Sequence, residues 1–101
     1  MPHKNSNENM DPHHLYEIVD KVDDDTFKYG ISCEPIGEDG ISDRMRKQVG
    51  FLNRIYEWAR FFSRILIHDI PGKKKARSIE KQYIQNYEKK HGRKPKGNPI
   101  Y

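Results

Sequence analysis

Three residues of this 101-residue chain are hard to explain as scaffold alone: Glu80, Arg44 and Tyr16. Glu80 lies inside the apolar stripe Ala76, Ile79, Tyr83, Ile84 and Tyr87, four residues after Ala76. A carboxylate on a core-facing stripe is costly unless it is paired or holds a metal. The plain alternative is an ion pair with Arg77 or Lys81 at the edge of the stripe. Arg44 flanks Ile41 and Met45 near the expected start of an earlier helix, where a cation opposes the helix dipole. Such a cation wants an anion, either a phosphate or a local partner such as Asp43 or Glu38. Tyr16 alternates with Leu15, so it faces the opposite side of its strand, either covering sheet surface with its hydroxyl in water or offering that hydroxyl to chemistry.

The elements that would place these residues follow from the hydrophobic pattern. His14 to Asp20 alternates apolar and polar, as a half-buried strand does. Lys21 to Asp25 is a short turn-rich connection, and Thr26 to Ser32 supplies a second strand of aromatic and β-branched residues. A loop from Cys33 to Gly40 carries Pro35, Gly37 and Gly40. A helix then starts at Ser42 or Asp39, either of which is a capping residue, with Ile41, Met45, Val49, Leu52 and Tyr56 as its stripe. Phe61 to Ile70 reads as a third, buried strand, stopped by Pro71-Gly72. A second helix runs from about Lys73 to His91 and closes at Gly92; Pro95 and Pro99 keep the tail extended or turned. The expected fold is α+β, a small three-stranded mixed or antiparallel sheet flanked by helices in the order β-β-α-β-α. Residues 1–12 read as a polar leader or linker and 13–101 as the domain.

Only 34% of residues are hydrophobic and 34% are charged, so the core must be thin. Eleven aromatics argue against disorder. A single cysteine, Cys33, excludes an internal disulfide and a cysteine-based zinc site. The histidines are too scattered to suggest a metal site. No apolar run is long enough for a membrane span, and the chain reads as soluble. Its charge is uneven: residues 1–40 carry 3 Lys/Arg against 10 Asp/Glu, a net −7, and residues 41–101 carry 16 against 5, a net +11. The basic half is either a surface for a polyanion or a solvated face.

Taken together, these residues resemble the GIY-YIG nuclease family, whose hairpin carries Gly-Ile-Tyr and then Tyr-Ile-Gly. Here the first tripeptide is His14-Leu15-Tyr16, and the second is Lys28-Tyr29-Gly30, followed by Ile31-Ser32. The arginine of the family's first helix is matched in Ile41-Ser42-Asp43-Arg44-Met45-Arg46. The metal-binding glutamate is matched in Ala76-Arg77-Ser78-Ile79-Glu80, and the late asparagine in Gly97-Asn98. Three departures stand out. His14 replaces the first glycine, Lys28 the second tyrosine, and Gln48 stands where the family often has His or Tyr.

The resemblance implies a phosphodiesterase, an endonuclease acting with one Mg²⁺ or Mn²⁺ ion. On that pattern Tyr16 helps deprotonate the attacking water, Arg44 stabilises the phosphate, Glu80 holds the metal, and Asn98 orients the chain or the phosphate. Lys28 offers a polar group where the second tyrosine would be. A tyrosine works as base only if nearby cations lower its pKa, and Lys28 and Arg44 are the cations expected to do so. His14, Tyr29 and Gln48 are secondary candidates. Arg46, Lys73, Lys74, Lys75, Arg77, Arg93, Lys94 and Lys96 are the expected contacts to the phosphate backbone. DNA is the expected partner, with RNA as an alternative. A small nuclease domain of this kind also resembles the C-terminal toxins of bacterial secreted effectors, which act in the bacterial cytoplasm and travel with an immunity protein. The competing readings are a catalytically silent nucleic-acid-binding domain and a module that docks its basic helix on an acidic protein.

Overall fold

The computed structural model describes residues 9–98. Five elements follow one another: β1 (Pro12–Asp20), β2 (Asp25–Ser32), α1 (Asp43–Tyr56), β3 (Phe61–Pro71) and α2 (Lys73–His91). The order is the expected β-β-α-β-α, and the strands form one antiparallel sheet in the order β2-β1-β3. The central strand is buried along nearly its whole length, because it has a partner on both edges and a layer on each face.

Alternation along β1 divides the core in two. Tyr16 and Ile18 face α1 and pack with Met45 and Phe61. Leu15 faces the other way and packs with Ile70 and Ala76 at the start of α2. Ser42 is the N-cap of α1, and of the two expected caps Asp39 instead binds Arg46. α1 turns off at Glu57, which is left-handed at φ 64°, and α2 ends at Gly92 with φ 75°, where glycine avoids the Cβ penalty.

Ahead of β1, Asn9 is buried, and its carbonyl accepts from the backbone N–H of Lys73 at 2.8 Å. After α2, the tail runs along the outer edge of β2: Gly97 N–H donates to the Phe27 carbonyl at 2.7 Å. A Cβ at Gly97 would lie 2.8 Å from the Phe27 ring and 2.9 Å from Lys28 Cβ, so only glycine permits this approach. The tail thereby covers an edge that would otherwise expose unpaired backbone groups.

Candidate active site

Tyr16 is fully buried, yet its hydroxyl does not face water as a surface tyrosine's would; it donates to Gln48 Oε1 at 2.6 Å. Its cross-strand neighbour on β2 is Gly30. A Cβ there would stand 2.4 Å from the Tyr16 Cζ and hydroxyl oxygen, so the ring can lie across β2 only because residue 30 is glycine. Lys28, two residues earlier on β2, shares the Tyr16 face. Arg44 is one turn before Gln48 on α1. From α2 come Glu80 and Arg77, three residues apart on neighbouring turns. These side chains meet around one open cavity of about 970 Å³, which Asn98 also lines.

Three groups in this cavity are shifted from their ordinary values. Burial raises the Glu80 carboxyl, and Arg77, Lys28 and Arg44 together pull it only part of the way back. Lys28 is lowered by burial and then by Arg44, with Glu80 acting in the opposite sense. Tyr16 is raised, chiefly by burial, although Arg44 and Gln48 act to lower it. The cations beside Tyr16 therefore do not bring its hydroxyl down as the sequence suggested: removing the ring from water outweighs them.

Among the described residues, the Glu80 carboxylate has neither a hydrogen bond nor a salt bridge, and the Arg44 guanidinium has no salt bridge. Arg46, two residues on, takes the local anions instead, binding Asp39 at 2.8 Å and also Asp43. A half-buried carboxylate without a direct partner is a fit donor for a hard cation. No group of three His, Cys, Asp or Glu side chains among the described residues forms a metal cage. One carboxylate leaves the remaining coordination positions to water and substrate oxygens, the usual arrangement for Mg²⁺.

The other sequence candidates divide clearly. Asn98 accepts from the Tyr29 N–H at 2.7 Å and donates to the Tyr29 carbonyl at 3.0 Å, so it orients the chain at the cavity wall. Tyr29 itself points away from the cavity and packs edge-on against Tyr83, with ring centroids 5.5 Å apart. His14 is buried beside Ser42 Oγ at 3.2 Å, at the start of α1, and does not line the cavity. Burial and the neighbouring His68 and His13 lower its pKa. Arg93 and Lys96 are tied to Asp25 and Asp23, at 3.1 and 3.2 Å. Lys74 and Lys75 are exposed, Lys94 is half-buried, and Lys73 and Arg77 line the cavity.

A family model described as URI fold toxin 2 (Tox-URI2) matches residues 6–92. The chain belongs to this family. It is a toxin domain, and its match takes in every element that carries Tyr16, Lys28, Arg44 and Glu80. Searches of the curated proteins and of the solved structures return no significant match. Among the described residues of this toxin domain no helix is long and apolar enough to cross a membrane.

The cavity wall of the toxin domain also includes residues the sequence did not single out: Lys47, His13, Cys33 and Glu34. Lys47 had a legible signal, since it lies three residues after Arg44 on the same helical face. His13, Cys33 and Glu34 had none. They reach the cavity through the pairing of β1 with the end of β2, a long-range arrangement that local patterning does not encode.

Proposed function

We propose that this toxin domain is a metal-dependent endonuclease that hydrolyses phosphodiester bonds, with DNA as its first substrate. The observation that carries the reading is the half-buried Glu80 carboxylate, without a direct partner among the described residues, in a cavity rimmed by Arg44, Arg77 and Lys28. That arrangement suits a cation flanked by a polyanion. The URI fold is related to GIY-YIG-like nucleases, which supports the same chemistry.

Glu80 would hold one Mg²⁺ or Mn²⁺ ion, which supplies Lewis-acid polarisation of the scissile phosphate and its leaving oxygen. Arg44, with no salt bridge to neutralise it, would bind the phosphoryl oxygens as negative charge builds on them. The Tyr16 hydroxyl donates to Gln48 and accepts from Arg44, so it would hold both α1 side chains in place and keep one lone pair to orient the attacking water. In this reading Lys28 takes the proton, because burial and Arg44 already weaken its hold on its own. The water oxygen bonds to phosphorus, the bond from phosphorus to the leaving oxygen breaks, and that oxygen is protonated from solvent. Asn98 holds the β2 backbone that carries Lys28. As a toxin, the domain would act in a bacterial cytoplasm after secretion and be restrained by an immunity protein.

Nicking of supercoiled plasmid DNA in Mg²⁺ tests this. Glu80→Gln should abolish nicking without weakening DNA binding, and a chelator should stop the native protein until Mg²⁺ is restored. Undiminished nicking by Glu80→Gln would sink the mechanism.

A further inference from the structure

The outer face of α1 has an order that the cavity does not use. Arg44, Lys47, Phe51, Arg54 and Ile55 recur at spacings of three and four, which places them within about 100° of arc on one side of the helix. Met45, Val49 and Leu52 occupy the opposite, core-facing side. Phe51 is 59% exposed and Ile55 58%; Trp58, in the turn that follows, is 53% exposed. In a chain with so few apolar residues, three large ones left in water within eight residues of sequence need a reason. Lys47 and Arg54 form no salt bridge among the described residues.

The stripe begins at the cavity: Arg44 and Lys47 line it, and the apolar residues continue from there. From Lys47 to Ile55 is about 12 Å along the helix at 1.5 Å per residue, and Trp58 follows just after the left-handed Glu57 that ends it, a span within reach of a few nucleotides. Cations interleaved with exposed rings suit a strand that offers phosphates and unstacked bases in turn. A duplex presents phosphates but keeps its bases stacked, so the rings would gain little from it.

We propose that this face of α1 is a platform for single-stranded nucleic acid, on which bases stack against Phe51 and Trp58 while Lys47 and Arg54 hold the phosphates leading to the cavity. The proposal rests on the nuclease reading and adds to it a preference for unpaired strands next to the cut.

Trp58 is the only tryptophan in the chain, so its fluorescence reports on this face directly. The Glu80→Gln protein would be titrated with dT15, the matching 15-base-pair duplex, heparin, and phosphatidylglycerol vesicles. Expected is quenching by dT15, binding about tenfold weaker in Phe51→Ala, and little quenching by duplex or heparin, which offer charge without free bases. Phe51 is exposed, so that substitution leaves the core intact. Equal quenching by duplex or heparin, or unchanged dT15 affinity in Phe51→Ala, overturns the platform. A blue shift with vesicles alone, without a dT15 response, assigns the face to a membrane surface and also overturns it. Plasmid nicking by the native chain with a silent Trp58 removes the platform and leaves the nuclease reading standing. Quenching without nicking does the reverse.

Discussion

Two ends of this small sheet carry charge in opposite ways. At the hairpin end, Arg60 grips Asp20 through two hydrogen bonds of 2.8 and 2.7 Å. Arg93 donates to both Asp25 and the Tyr87 hydroxyl, and Lys96 reaches Asp23. Acid and base are matched there residue by residue, and the tail is clasped to the body. At the cavity end, Arg44, Lys28 and Glu80 act on one another only through space and have no salt bridge among the described residues. Pairing fixes the geometry of the hairpin and tail, whereas perturbed charges without a salt bridge in a cleft mark a candidate binding site. The −7 and +11 halves of the sequence are therefore less opposed in the folded chain, where part of that asymmetry is neutralised internally.

The largest contrast should appear in rate. Lys28→Met in the cavity should slow plasmid nicking by about 10²-fold or more, the usual size of a general-base contribution. Arg93→Met in the clasp should leave the rate within about twofold, because it touches no cavity residue. The native rate should rise with pH as the lowered Lys28 amine loses its proton, and Lys28→Met should flatten that limb. A sloping profile that survives the substitution would take the base role from Lys28.

Stability should move in the opposite direction. Asp20→Asn breaks a nearly buried pair and should cost about 2–3 kcal/mol in urea unfolding, leaving activity intact at temperatures where the chain stays folded. Asp20 is held below its ordinary value of 3.8, chiefly by Arg60. Its contribution is therefore present above that value and lost as pH falls through the lower folded value. Glu80 is raised, so the folded state holds its proton more tightly than the unfolded chain does. Stability then falls as pH rises from 4.5 through the folded value, and the ionised carboxylate is a cost at neutral pH. Glu80→Gln should consequently raise Tm at pH 7 while ending cleavage. A lower Tm in that variant would place Glu80 in the scaffold.

A smaller effect separates the two tyrosines. Tyr16→Phe should slow cleavage about tenfold, the order expected for removing one water-orienting hydrogen bond. Tyr29→Phe should change it little, since that ring packs on Tyr83 outside the cavity. The opposite ranking would mean that β2 presents the hydroxyl to the substrate.

These contrasts also mark how far the sequence can be read. Strand alternation, the Ser42 cap and the Pro71-Gly72 stop place the elements, because each is a local signal with its own physical cause, but β3, expected to be buried, is an edge strand with Phe62, Arg64, His68 and Asp69 exposed. Glu80 and Arg44 are visible as charges out of place on their helices. What stays hidden are partnerships between distant residues. Nothing local says that Gln48 meets Tyr16, or that Arg93 and Lys96 are absorbed by the hairpin, whereas the Asp43–Arg46 pair, three residues apart on α1, is a local signal. The pKa direction of Tyr16 is hidden for a related reason: its cations are adjacent in pattern, but its burial depends on α1 packing over it.

The smallest effect concerns the lysines at the start of α2. Lys73, Lys74 and Lys75 open α2, and Lys73 lines the cavity. Changing all three to Ala should make the slope of log K against log salt shallower, by about 0.9 for each duplex phosphate that is no longer neutralised. The rate at saturating substrate should hold, since none of the three is assigned a chemical step. The same measurement on Arg93→Gln with Lys96→Gln should leave the slope unchanged and lower Tm slightly, because those cations already spend their charge on Asp25 and Asp23. The pairs are exposed, so each contributes little. If the tail variants flatten the slope and the lysine variant does not, the clasp opens on binding and the substrate runs past the hairpin. The division between paired and unpaired charge would then describe only the free protein.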